Sequence, residues 1–193
     1  NPDELIEQYG ADALRLHEMF LGPIEMHKPW NTKGIDGVSR FLRKFWALYH
    51  DENDDLNVVD AEPSKEELKI LHKTIKSIQD DMNRFSFNTI VSHLMICVND
   101  LSSIKCKNHS ILSDLTVLAA CHAPHITEEL WKKLGNQDSI SYAKFPKFKP
   151  EVLVESDHNY PVSFNGKMRF KIQLPLSIDS KEVENIILNH DDS

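Results

Sequence analysis

Cys121, His122, His125, Glu128 and Glu129 are residue types that hold a divalent transition metal, and they fall within one short stretch. Thiolate, imidazole and carboxylate donors together would suit zinc or a neighbouring metal. Their spacing, however, matches no HExxH or CxxC pattern, and Pro124 interrupts the helix that would align them. No metal site is therefore expected, and His125 reads as a helix-start residue hydrogen-bonded locally. A second constellation is cationic: Lys33, Arg40, Arg43 and Lys44 in one stretch, and Lys167, Arg169 and Lys171 in another. Permanent cations at helical or strand spacing are the raw material for phosphate contacts, a solvated basic face being the plainer alternative. No GxGxxG or Walker loop cradles a nucleotide, and no serine or cysteine sits in a nucleophile motif, so no catalytic residue is expected here.

The first basic row needs a helix to hold it. From Lys33 to His50, at 3.6 residues per turn, Val38, Phe41, Leu42, Phe45, Trp46, Leu48 and Tyr49 fall within one arc of roughly 160°. Arg40, Arg43 and Lys44 fall on the other side. The pattern predicts a helix with one face in a core and one presenting cations.

That local row stands against a formal net charge of -8 over 193 residues, which disfavours indiscriminate binding to a phosphate backbone. The charge is uneven. Asp51, Glu52, Asp54, Asp55, Asp60 and Glu62 form an acidic connector, expected as loop or disordered chain, directly after the basic helix. Hydrophobic residues at 40% and charged residues at 27% describe an ordinary globular protein. Cys97, Cys106 and Cys121, unpaired in spacing, fit a reducing cytoplasm. No apolar run is long enough for a membrane span, so no membrane role is expected, and a monomer is. The chain opens on Asn-Pro instead of Met, as a piece of a longer protein would.

The remaining elements follow from caps and periodicity. Asn1 and Pro2 begin a short helix ended by Gly10, and Ala11–Leu21 forms a second with Leu14, Leu16, Met19, Phe20 and Leu21 nearly all round, as though covered on more than one side. Leu16, Met19 and, in the following loop, Trp30 are the expected anchors of an interface with missing protein. Ser64 with Glu67 predicts a capping box opening a helix to about Phe85, its stripe being Leu68, Leu71, Ile75, Ile78, Met82 and Phe85. Ser86 or Asn88 starts the next, with Ile90, Val91, Leu94, Cys97, Val98 and Leu101 inward. Ser110 is expected to cap another, and Ile126–Leu134, closed by Gly135, is the last of the bundle.

Consecutive helices with short connections predict a mainly α fold, an antiparallel helical bundle, followed by a partial α+β appendage. The domains are placed at 1–30 (connecting segment), 31–143 (bundle), 144–157 (linker) and 158–193 (incomplete C-terminal part). In the last, Tyr160–Leu174 alternates around Asn165-Gly166, a hairpin signal. A three-residue bulged loop would gather Tyr160, Val162, Met168, Phe170 and Ile172 on one face and Lys167, Arg169 and Lys171 on the other. A closing helix, Lys181 to about Asn189, carries Val183, Ile186 and Ile187 inward.

YGADALRLHEMFLGP (9–23) and KPWNTKGIDGVSRFLRKFW (28–46) closely resemble bacterial-type leucyl-tRNA synthetases. APHITEELW (123–131) is a pattern shared with the isoleucine and valine enzymes of the same class. NGKMRFKIQLPLSIDSKEVENIIL (165–188) is similar to the start of the leucyl enzyme's small C-terminal domain. The resemblance implies a fragment following the KMSKS loop that contains the bundle called the anticodon-binding domain, lacks the catalytic motifs and is inactive alone. It implies leucine tRNA as partner, with Lys33, Arg40, Arg43, Lys44, Lys167, Arg169 and Lys171 as contacts. The missing catalytic domain is a second partner; ATP and Mg belong to the intact enzyme, and no cofactor to this fragment. Alternatives are the equivalent part of an isoleucyl or valyl enzyme, or a non-catalytic helical scaffold for protein interaction.

Overall fold

The apolar stripes close on one another in a helical bundle. A computed structural model describes residues 1–154, 157–164, 167–175 and 179–188, in two units, Asn1–Val152 and Leu153–Ser193. The first contains α1 (Pro2–Tyr9), α2 (Ala11–Phe20), α3 (Ile35–Ala47), α4 (Lys65–Asn83), α5 (Phe87–Ser103), α6 (His109–Ala119) and α7 (Pro124–Lys133). The second contains β1 (Asp157–Phe164), β2 (Lys167–Pro175) and α8 (Ser180–Leu188).

Helix α5 is the centre of the first unit. It packs along α4, and α2 and α3 also rest against it. All six residues expected to face inward, Ile90, Val91, Leu94, Cys97, Val98 and Leu101, are buried. From α3, Val38, Phe41, Phe45, Leu48 and Tyr49 enter the same core. Phe41 stacks on Phe45 at 6.0 Å and Phe45 meets Tyr49 edge-on at 5.4 Å, so three aromatic rings run down the buried side of α3. The Tyr49 hydroxyl ends this ladder 3.0 Å from the carbonyl oxygen of Leu112 and 2.9 Å from Thr116 Oγ1. Burial pushes its pKa well above the ordinary phenol value.

Several boundaries depart from expectation, each for a physical reason. The α4 stripe ends early: Leu71, Ile75 and Ile78 are buried, but Met82 and Phe85 are exposed. Phe85 takes a left-handed backbone (φ 57°), with Ser86 N–H donating to the Asp81 carbonyl and Phe85 N–H to that of Met82. This is a Schellman ending, which turns the chain before the stripe is complete. Asn108, not Ser110, caps α6, its side-chain oxygen accepting from Ser110 N and Ile111 N. Pro124 begins α7 instead of interrupting a helix, because its missing N–H costs nothing at the first position. The Ser64–Glu67 capping box is present.

The acidic connector is an ordered loop. Asn57 N–H donates to Tyr49 O at 2.8 Å, Val59 N–H to Lys107 O at 2.7 Å, and His109 N–H to Val59 O at 2.9 Å. Asp51 Oδ1 accepts from Asn53 N and Asp55 N, so backbone amides of the turn satisfy that carboxylate. The expected linker also lies partly on the bundle: Phe148 packs against the core, and Lys149 N–H donates to His72 Nδ1.

In the second unit β1 and β2 pair antiparallel, with Val162 opposite Phe170 and Tyr160 opposite Ile172, as the alternation predicts. The three-residue loop is corrected. Phe164 pairs with Lys167, leaving two residues between the strands; Asn165 and Gly166 themselves lie outside the described residues. The register shifts between Val162 and Ser163, where Arg169 is the extra residue, so the bulge sits in β2 instead of in the turn. Met168 consequently pairs with Ser163 and is exposed, and Ile186 of α8 is exposed too.

Candidate nucleic-acid interface

The aromatic ladder of α3 fixes which way its opposite side points. With Phe41, Phe45 and Tyr49 locked inward, Arg40, Arg43 and Lys44 are exposed, as is Lys33 just before the helix. Arg43 and Lys44 each lie about one turn from Arg40, which puts their Cβ atoms roughly 5–6 Å from that of Arg40. Among the described residues none of the four forms an ion pair, and Lys44 alone has a side-chain hydrogen bond, to Asn99 Oδ1 on α5 at 2.6 Å. Asp36, the acidic residue in this helix, is turned toward Tyr9, whose hydroxyl donates to it at 3.0 Å. That hydrogen bond, with the nearby carboxylate charge, holds the Tyr9 pKa above its ordinary value. Arg40, Arg43 and Lys44 outnumber that one carboxylate on the exposed side of α3, within a chain of net -8.

Two features flank this face. A shallow depression is lined by Tyr9, Ser39, Leu42, Arg43, Trp46 and Ile126. Trp46 is held on three sides: its Nε1 donates to Asp54 Oδ1 at 2.7 Å, His50 stacks on it at 4.1 Å, and Lys133 Nζ stands 5.5 Å from its ring centroid. Beyond Lys44 a groove continues between the end of α3 and the end of α5, and Lys105 and Lys107 contribute to its lining. These two lysines are absent from the sequence-based set. They bracket Cys106 in the α5–α6 connection, and nothing local in the chain says that this connection lies beside Lys44.

The second predicted row is not continuous. Lys167 and Lys171 hold register positions opposite Phe164 and Pro161, and Arg169, exposed, is the residue inserted between them. The bulge breaks the alternation that would have aligned the three. The predicted interface residues also separate. Leu16 is wholly buried in the bundle's own core and is not available as an outer anchor, whereas Met19 and Trp30 are exposed at 44% and 52%. Phe20, Ile24 and Met26 are exposed beside them in sequence.

Around Cys121 the chemistry is structural. His125 is bonded not locally but to Asp12, at 2.8 Å from its Nδ1. His122 is buried, and burial, together with the Arg15 cation, lowers its pKa. Among the described residues no group of three or more His, Cys, Asp or Glu is placed to hold a metal ion. Burial raises the Cys97 thiol to about 11 and, with Glu67 beside it, the Cys106 thiol to about 12, so neither is a ready nucleophile.

A helical bundle with a basic helix whose exposed cations form no ion pair among the described residues has the form of a polyanion-docking module. Comparison with known proteins narrows the class. Residues 64–185 match the family described as the anticodon-binding domain of tRNA ligase, and the chain belongs to that family. Leucine–tRNA ligases of Cytophaga hutchinsonii and Flavobacterium psychrophilum are 54% and 56% identical to it over 97% of the chain. The chain spans only 20% and 19% of those two proteins. A solved LeuRS of Agrobacterium radiobacter K84, in a ternary complex with tRNA and LeuAMS, superposes with a TM-score of 0.70 over 98% of this chain and 26% of its own. At 22% identity it speaks for the fold. The family match starts at Ser64, so α3 and its cations lie outside it and inside the stretch shared with the bacterial ligases.

Proposed function

We propose that this chain is the tRNA-docking part of a leucine–tRNA ligase, which in its intact form attaches leucine to its tRNA using ATP and Mg. The observation that carries the reading is the exposed row of Arg40, Arg43 and Lys44, with Lys33 beside it, none of them in an ion pair among the described residues. The half-identity to bacterial leucine–tRNA ligases supplies the polyanion. The face contacts phosphates of leucine tRNA and holds its position without reading its sequence. Arg169, with Lys167 and Lys171, offers separate contacts. Chemistry belongs to the remainder of the ligase, a cytoplasmic monomer. The test is charge reversal of Arg40 and Arg43 together in the full-length ligase. Leucine tRNA should bind more weakly, with a salt slope lower by about one unit per lost phosphate contact. Unchanged affinity and slope would sink the reading.

A second role is favoured by the exposed apolar run of Met19, Phe20, Ile24, Met26 and Trp30. Side chains of this kind in sequence around one helix end are suited to packing against protein, here the remainder of the ligase. If the chain binds no tRNA yet restores aminoacylation when mixed with that remainder, scaffolding is the larger role.

A further inference from the structure

The groove beyond Lys44 has a composition that the exposed face does not. Its lining includes Lys44, His50, Asn57, Ser102, Lys105 and Lys107, and it contains no carboxylate. In a chain of net charge -8, three lysines from α3 and from the α5–α6 connection line one groove, Lys44 with its ammonium on Asn99 Oδ1 at 2.6 Å and free to exchange that neutral partner for an anion. His50 is the second observation. It is 8% exposed, its Nδ1 lies 3.0 Å from the Trp46 carbonyl oxygen, and its Nε2 is buried without a partner. A carbonyl only accepts, so Nδ1 carries its proton; in the neutral ring Nε2 is then a bare acceptor. A buried acceptor left empty is unfavourable, and a ligand hydroxyl would fill it.

The backbone at the groove's edge is also unusual. Lys105 takes a left-handed conformation (φ 54°). Cys106 N–H donates to the Leu101 carbonyl at 2.9 Å and Lys105 N–H to that of Ser102 at 3.1 Å, which closes α5 with a Schellman motif. That position favours glycine, and here it presents a cation. Phe85 does the same at the end of α4, so the conformation alone carries nothing; it matters only with the side chain that it displays.

The complementary ligand has oxyanions for three lysines and a hydroxyl donor for one imidazole nitrogen. We propose that the groove is a second RNA subsite, which takes a ribose-phosphate unit of the backbone: phosphate on Lys44, Lys105 and Lys107, and the ribose 2′-hydroxyl donating to His50 Nε2. Nε2 is closed to solvent in the free chain, so entry of the unit requires the side chains that cover it to shift. The 2′-hydroxyl makes the subsite selective for RNA over DNA. The proposal rests on the tRNA-docking reading and extends its track, through Lys44, from α3 to the end of α5.

The experiment titrates the 193-residue chain with a leucine tRNA transcript, a DNA of the same sequence and inorganic phosphate. K105E/K107E and R40E/R43E are run in parallel, and thermal stability is recorded because Lys105 also offsets the α5 dipole. K105E/K107E should weaken tRNA binding about tenfold and lower the salt slope by about one to two units while the fold is kept. The 15N signal of His50 Nε2 should move toward its hydrogen-bonded value with RNA and stay put with DNA. Wild-type affinity in K105E/K107E, together with loss in R40E/R43E, overturns the groove and leaves the docking face standing. The reverse pattern keeps the groove and overturns the face. No effect in either variant, or no tRNA binding at all, overturns both. An Nε2 signal that moves equally with inorganic phosphate, which also competes with tRNA, replaces the RNA assignment with a free-phosphate site.

Discussion

Asp12 and His125 join the two ends of the bundle: Asp12 Oδ1 lies 2.8 Å from His125 Nδ1 and also accepts from His125 N–H, while Oδ2 accepts from Ile126 N–H at 2.8 Å. His125 and Ile126 are the second and third residues of α7, whose own N-cap, Ala123, has no side chain to offer them. The carboxylate of α2 is thus the cap of α7, supplied from 113 residues away. It also places a negative charge at the positive end of that helix dipole.

Replacing Asp12 by Ala should therefore cost more than a surface change would. It strips two amide donors and a ring contact together, for an expected loss of about 1–2 kcal/mol. Chemical denaturation of the D12A chain reads this directly. A loss below a few tenths would mean that water replaces the cap.

Tyr49 offers a second check on how α3 is oriented. The Y49F variant keeps the ring contacts with Phe45 but removes the hydroxyl shared with Leu112 and Thr116. Thr116 Oγ1 retains its own bond to the Leu112 carbonyl, so the expected cost is only about 1 kcal/mol. Truncation of the buried Phe45 to Ala should cost about 3–5 kcal/mol and loosen the basic face along with the core.

Acid should destabilise the bundle through its buried histidines. Burial, with Lys149 next in effect, lowers the His72 pKa, and burial followed by Arg15 lowers that of His122. The unfolded chain then binds protons more readily than the folded one, so stability is full above the ordinary value of 6.5 and falls as pH drops below it. H72Q/H122Q should flatten that part of the stability curve. Asp81 acts lower. Burial opposes its ionisation, but hydrogen bonds from Thr89 and Arg84 outweigh this and lower its pKa, so its contribution is lost only below 3.8.

Lys105→Gly separates stability from binding. Relief of the left-handed backbone should raise stability by up to about 1 kcal/mol. The same change removes one ammonium from the groove, so tRNA affinity should fall as the melting temperature rises. A variant that gains stability and keeps full affinity would remove Lys105 from the RNA track.

Much of the bundle was legible in the chain. The inward face of α5 and that of α3 follow from a 3.6-residue repeat, and the Ser64–Glu67 box from a four-residue pattern; each depends only on neighbours in sequence. The orientation of Arg40, Arg43 and Lys44 away from the core follows from the same repeat. What local pattern does not contain is which distant residues meet. The cap that Asp12 lends to α7, the burial of Leu16 by its own bundle, the tethering of the acidic loop to Lys107 and His109, and the convergence of Lys44 with Lys105 and Lys107 were decided only by tertiary packing. Even the hairpin, whose alternation predicts its partners, left the bulge to be placed by pairing across strands. Helical periodicity is a property of a few consecutive turns, whereas a cap, a groove and a register are agreements between segments, and the folded chain is where they are made.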